Sequence, residues 1–331
     1  MWNHRSIKSL VSAAAVMAAL TNSTVATAQN TYPERPVTIV VAFAPGGATD
    51  VLARKLAQKL GDHYKQSFLV ENKPGAGGNI GTAYAGRAKP DGYTLYLGTV
   101  ASHGVAPNLY KNVGYDPVKD FAPIGLIAAS PQIVVVNKDS PFTSIDDLVK
   151  HGRGDRSTYA SSGAGTTIHL AGEMFNIKAD TKMEHVPFSG SGPAVNALLG
   201  GHVDVMFDDM PSSAPHVKSG SLRALAVTGT ARSALFPELP TLSEVGKPFG
   251  LEGFDVSAWF FLGAPAGTPE TVATSLNQTL NAILADADMQ NYLGERGAQT
   301  LPGTRVQAGQ FIASELGKWD EIITVGNIPK L

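Results

Sequence analysis

The chain predicts an α/β fold in two domains, on three observations. From Val37 onward, apolar strands alternate with amphipathic helices, the pattern of layered parallel sheets. Glycine-rich turns separate strand from helix, with 35 Gly and 21 Pro spread along the chain. Setting aside a leader of 28 residues leaves 303 of the 331, long for one domain and short for three.

The leader is read from Arg5 and Lys8, the apolar run Leu10–Leu20 and the A-x-A site Ala26-Thr27-Ala28, the three parts of a secretory signal. Its apolar run is too short to span a bilayer, and cleavage is expected after Ala28, so the mature chain starts at Gln29 and is exported to the periplasm. The sequence has no cysteine, which excludes a lipid-anchored lipoprotein, a thiol enzyme and a Cys-ligated metal. No later stretch reads as a membrane span. The leader carries two of the 26 basic residues and none of the 28 acidic ones, so the mature net charge is −4 and does not favour nucleic acid.

The elements follow in order. Val37–Ala42 reads as a buried strand, and Phe43–Gly47 as a turn feeding a helix with Leu52, Leu56 and Leu60 on one face, ending at Gly61. Ser67–Glu71 is the next strand, followed by a glycine-rich loop and a small-residue helix through Ala88. Tyr93–Leu97 is a strand ending in Gly98-Thr99, and a long polar segment leads to the strand Phe121–Ile127. A second unit opens with the strand Gln132–Val136 and a helix begun by the capping-box-like Ser144-Ile-Asp-Asp147. Strand ends at Tyr159–Ser161, Met183–Val186, Val203–Phe207 and Arg223–Val227 alternate with helices carrying His169–Met174 and Ala194–Leu199. Val256–Leu262 is a further strand. Thr268 at N-cap and Pro269 at N1 open a helix through Leu284, and a last helix covers Val306–Val325.

None of the enzyme motifs is complete. Gly46-Gly47 lacks the lysine of a Walker A loop, and Ile80 replaces the third glycine of G-x-G-x-x-G. Ser191 lacks a G-x-S-x-G elbow. His169 and Glu173 lack the second histidine of H-E-x-x-H. His202, Asp204, Asp208 and Asp209 form a loose acidic group better read as turn caps and pocket-rim hydrogen bonds than as a metal site. What remains is a set of Gly/Ser/Thr loops at strand carboxyl ends: Phe43–Thr49, Gly75–Gly81, Thr99–His103, Ser161–Thr167 and Phe188–Gly192. Open α/β sheets bind ligands at such ends, and helix amino ends attract anions. Lys73 is the one basic residue near these loops, so main-chain amides and hydroxyls are expected to hold the anion.

Seven stretches carry a resemblance: YPERPVTIVVAFAPGGATD, VENKPGAGGNIGT, DGYTLYLGT, YDPVKDFAPIGLI, SSGAGTTIHLAGE, GGHVDVMFDDMPSSAPHVKSGSLRALAVT and APAGTP. In this order they resemble the Bug-type substrate-binding proteins of tripartite tricarboxylate transporters over nearly the whole mature chain. The resemblance implies a two-domain periplasmic-binding-protein fold, type II-like, each domain a mixed sheet flanked by helices. Residues 29–130 with 255–331 would form domain 1, with 131–254 inserted as domain 2 and the ligand between them. A carboxylate would be pinched by Phe43–Thr49 and Ser161–Thr166.

The candidate ligand residues are Phe43, Ala44, Gly46, Gly47, Asp50, Asn79, Thr99, Ala101 and Ser102 from the first domain. Ser161, Ser162, Gly163, Gly165, Thr166, His169, Phe188, Ser189 and Asp208 come from the second. No catalytic residue, metal or cofactor is expected. The family often has aromatic-Lys-Gly where this chain has Phe188-Ser189-Gly190, so a second positive contact for the ligand is missing and Phe188 suits an apolar body. The expected role is a monomeric periplasmic receptor delivering a small organic acid to membrane permease subunits. The rivals are an exported α/β enzyme acting on a small carboxylate and a chemosensory ligand-binding subunit.

Overall fold

Strand β1 (Val37–Val41) takes the centre of a parallel trio, with β2 (Phe68–Asn72) on one side and β3 (Thr94–Thr99) on the other. This is a computed structural model; it describes residues 32–154, 157–325 and 330–331. The predicted leader and its cleavage site lie outside the described residues. Arg35–Leu331 form one unit.

Between β1 and β2 runs α1 (Ala48–Tyr64), which buries Leu52, Leu56 and Leu60 as the periodicity requires. The helix passes the expected stop at Gly61. Tyr64 explains the extension: its hydroxyl bonds to Ser275 and Thr279, and its ring stacks on Phe68. Helix α2 (Asn79–Gly86) joins β2 to β3. The polar segment after β3 begins as helix, a π-turn over Ala101–Val105 running into α3 (Ala106–Leu109). Its His103 is wholly buried among Tyr96, Tyr115, Phe121 and Phe261, and burial depresses its pKa to about 3.

The two strands expected at 121–127 and 132–136 are one continuous strand, β4 (Phe121–Asn137). Helix α4 (Ile145–Gly154) starts as expected, with Asp147 N–H donating to Ser144 Oγ. Then follow β5 (Thr158–Ser161), α5 (Thr167–Ala179), β6 (Glu184–Pro187), α6 (Ser191–Leu199) and β7 (Val205–Asp209). Helix α7 (Met210–Lys218) was not legible, because Pro211 and Pro215 read as breakers; Pro211 sits in the first turn, where a missing N–H costs nothing. After β8 (Leu222–Val227) and the capping-box helix α8 (Leu242–Val245) comes β9 (Ser257–Pro265).

Helix α9 (Glu270–Ala285) starts one residue later than expected. Pro269 holds the N-cap position, and the Thr268 hydroxyl donates to the Pro265 carbonyl instead of capping. Helix α10 (Ala287–Gly294), strand β10 (Gln299–Thr300) and α11 (Arg305–Val325) complete the described chain. No described helix is long and apolar enough to cross a membrane.

The strand order is β2-β1-β3-β9-β4-β7-β5-β6, with β8 and β10 also pairing β4. Residues 121–131 of β4 pair antiparallel with β9, whereas Gln132–Asn137 pair with β7 and β8. Thr228 clasps this handover. Its N–H bonds to Gln132 O, its hydroxyl lies within bonding distance of both Gln132 O and Val256 O, and its Oγ1 accepts from Gln132 N–H. Beyond it a second apolar core gathers Ile133, Val135, Leu198, Met206 and Met210, with Phe188 packed against it.

A closed cavity where helix amino ends meet

The turn from β1 into α1 is held by one carboxylate. Gly46 has φ +89°, a left-handed conformation that glycine accepts without strain, and this turns its N–H onto Asp50 Oδ2 at 3.0 Å. Asp50 also accepts from Arg54 Nε and Nη2 at 3.0 and 2.9 Å and from Asn72 Nδ2 at 2.9 Å. Burial opposes ionisation of Asp50, but the bonds from Arg54, Gly46 and Asn72 outweigh it and hold its pKa below the ordinary value. Asp50 therefore shapes the loop.

The turn from β5 into α5 is built the same way, from histidines. Gly163 N–H donates to Ser161 Oγ at 3.1 Å, and that oxygen lies 2.6 Å from His185 Nε2. Gly165 N–H donates to His169 Nδ1 at 3.2 Å, and Thr166 caps α5 by accepting from His169 N–H. Burial depresses both His169 and His185 to about 4, so both are neutral near pH 7. Glu173 accepts from the Tyr159 hydroxyl and lies 4.0 Å from His169 Nε2.

The third wall is acidic. Asp208, fully buried, accepts from the hydroxyls of Ser191, Ser212 and Ser213, tying the first turns of α6 and α7 to the end of β7. Burial raises its pKa despite these donors. Asp209 accepts from Gln132 Nε2 at 3.2 Å, and burial, then the charge of Asp208, push it up to about 7.

These turns enclose a cavity of about 20 Å³, room for about one water. Of the residues expected from sequence, Phe43, Ala44, Gly47, Asp50, Thr99, Ala101, Ser162 and Thr166 line it. Gly46, Ser161, Gly163, Gly165 and His169 stand behind it, their polar groups spent on the turns. Ser102 bonds to the Thr99 backbone, and Asn79 accepts from the Tyr115 hydroxyl. Phe188 packs into the second core and Asp208 anchors the serines. The Ser189 carbonyl accepts from Ala44 N–H at 3.0 Å, so the amide of Ala44 is spent as well.

Ala48, Thr49, Val100, Thr167 and Ser191 also line it; they fall within the loops expected from sequence but were not singled out as ligand residues, whereas Asp209, Ala258 and Phe260 lie outside those loops. The alternation of β9 carried the signal for Ala258 and Phe260, and the first-turn positions of α1, α5 and α6 carried it for Thr49, Thr167 and Ser191. Among the described residues, Asp50 and Asp209 are the charged ones in the lining, and no Lys, Arg or His lines the cavity. Thr99 Oγ1 is buried without a partner among the described residues. The first turns of α1, α5 and α6 leave backbone N–H groups unused by their own helices, with the positive end of each dipole at the cavity.

Further contacts close the cavity besides the Ala44–Ser189 bond. The Tyr110 hydroxyl donates to the Ala164 carbonyl at 2.6 Å, and a side chain on Gly165 would run into the Tyr110 ring. Gly47 faces Ser191, and Gly192 faces Pro45 and Gly46. A larger cavity of about 1110 Å³ lies beside α2, where Arg35, Arg87, Lys89 and Tyr84 line a groove with Tyr110 and with Asn79, one of the residues expected at the ligand.

The tripartite tricarboxylate transporter family receptor profile matches residues 52–328. Protein BugT of Bordetella pertussis is 35% identical over 297 residues, 89% of this chain and 90% of that protein. Among solved structures, periplasmic binding protein BugD superposes with a TM-score of 0.86 at 36% identity, covering 91% of this chain and 100% of BugD. R. palustris Rpa4515 with adipate gives a TM-score of 0.86 at 36% identity, with the same coverage. These neighbours are binding proteins, which sets aside the enzyme alternative, and the fold is the α/β fold of periplasmic binding proteins. A match across most of the chain, in sequence profile and in structure, makes this protein a member of the tripartite tricarboxylate transporter family of receptors.

Proposed function

We propose that the protein is exported to the periplasm by its first 28 residues, captures a small organic acid there as a monomer and delivers it to membrane permease subunits. The convergence of the amino ends of α1, α5 and α6 on one cavity, beside a Thr99 hydroxyl with no partner among the described residues, carries this reading. The adipate bound by the R. palustris protein supports an organic acid as the ligand class.

In this reading residues 29–130 with 255–331 form one domain and 131–254 the other. The hinge is the Thr228 clasp, where β4 passes from β9 to β7 and β8. The cavity admits about one water, so an acid of adipate size enters an open state and the closed state is selected by its contacts. Thr99, Thr49, Thr167 and the first-turn amides of the three helices hold the carboxylate, and Phe43 and Phe260 flank its carbon body.

The test is recovery of the protein by osmotic shock, followed by denaturation and mass spectrometry. The expected result is an amino terminus at Gln29 and an unaltered organic acid released from the protein. Adding that acid at about 100 times its dissociation constant should stabilise the native state by about 2.7 kcal/mol in thermal unfolding. A membrane-bound form keeping Met1, or a protein that no organic acid stabilises, contradicts the proposal.

A further inference from the structure

The acid at the end of β7 does something unusual for its position. Asp209 is the N-cap residue of α7, where aspartate commonly accepts a bond from the first turn of its helix, yet it makes no such cap. Its Oδ1 accepts from Gln132 Nε2 instead, and among the described residues Oδ2 has no donor. Gln132 is itself wholly buried, and its Oε1 has no partner among the described residues. A carboxylate and an amide oxygen thus stand with unused acceptor capacity, and Asp209 is part of the cavity wall.

The other groups near Asp209 do not neutralise it. Asp208 on the same strand is acidic and engaged by three serines, and Asp50 across the cavity is engaged by Arg54. Ser191 on α6 is already committed to Asp208. A second ligand carboxylate placed here would be buried beside like charge without a compensating cation, which is costly. A hydroxyl, amide or ammonium would instead donate to the Asp209 carboxylate, and charge-assisted bonds of this kind are the stronger ones.

We propose that Asp209 reads the distal end of the ligand, and that the ligand is a small carboxylate carrying a hydrogen-bond donor rather than a second carboxylate. This rests on the carboxylate-receptor reading above. Phe43 and Phe260 in the same lining suit a short carbon chain joining the carboxylate to the donor.

The experiment titrates the wild type and Asp209→Asn by calorimetry. The probes are, for each chain length from three to six carbons, the unsubstituted acid, its terminal hydroxy and amino derivatives, and the matching dicarboxylate. In the wild type, a hydroxy or amino acid should bind at least about tenfold more tightly than the dicarboxylate and the unsubstituted acid of its length. Asp209→Asn, which preserves shape, should weaken the amino acid about tenfold or more and narrow its advantage over the dicarboxylate. A wild type that prefers the dicarboxylate, or an order of preference that Asp209→Asn leaves unchanged, overturns the assignment while leaving the receptor reading standing. Failure of every acid to bind overturns the receptor reading itself, and the assignment with it.

Discussion

Gly192→Ala should abolish ligand binding in a protein that still folds. Gly192 is in the first turn of α6, where alanine is a better helix former than glycine, so the helix itself gains. The added methyl would land on the Pro45 carbonyl oxygen and within 3.1 and 3.2 Å of the Gly46 backbone. Both obstacles are main chain and cannot swing aside as a side chain would. The cheap response is to leave the cleft open, which separates the first turn of α1 from those of α5 and α6. A ligand held by all three then loses its closed state, and affinity should fall by about 100-fold or more. Calorimetry reads the affinity, and small-angle scattering with saturating ligand should show no contraction in the variant where the wild type contracts. Gly47→Ala, whose methyl would stand 2.9 Å from Ser191 Cβ, should give a milder form of the same defect. Wild-type affinity in Gly192→Ala would mean that these turns do not meet in the bound state.

Asp208→Ala should be the most destabilising single change near the cleft. It removes the acceptor shared by the hydroxyls of Ser191, Ser212 and Ser213, which are all buried. Orphaning buried donors costs about 1–3 kcal/mol each before relaxation, so a loss of about 3–5 kcal/mol in urea unfolding at pH 7 is expected. Asp208→Asn keeps one acceptor and separates charge from hydrogen bonding. The native pKa of Asp208 is raised, so its ionised form costs stability as pH rises above the unfolded value of 3.8 toward the native one. Wild-type stability should therefore fall relative to Asp208→Asn as pH is raised through that window. A flat difference between the two proteins from pH 4 to 8 would show that Asp208 is not the group being desolvated.

The alternation of strand and helix was legible because apolar periodicity is a local property. Leu52, Leu56 and Leu60 needed no partner in view to declare a buried face. The location of the site was legible for a related reason, since strand carboxyl ends and the helix amino ends after them follow from connectivity alone. What the sequence did not carry is how each polar group of those turns is spent. Gly46 and Gly165 were expected to offer their amides to the ligand, but Asp50 and His169, four residues on, take them. The partner of Ala44 is Ser189, 145 positions away, and that of Tyr110 is Ala164, so no local pattern could announce either. Asp209 was noticed as part of an acidic group, whereas its place on the cavity wall depends on Gln132 of β4, 77 positions earlier. The merging of two expected strands into β4 had the same origin, because Pro131 reads as a break until β9 is present to pair with it.

A crystal structure of the protein with the acid recovered from it tests the central claim most directly. A carboxylate is expected between the amino ends of α1, α5 and α6, with one oxygen bonded to Thr99 Oγ1 and Phe43 and Phe260 against the carbon chain. An acid found instead in the groove beside α2, paired with Arg35, Arg87 or Lys89, would contradict it.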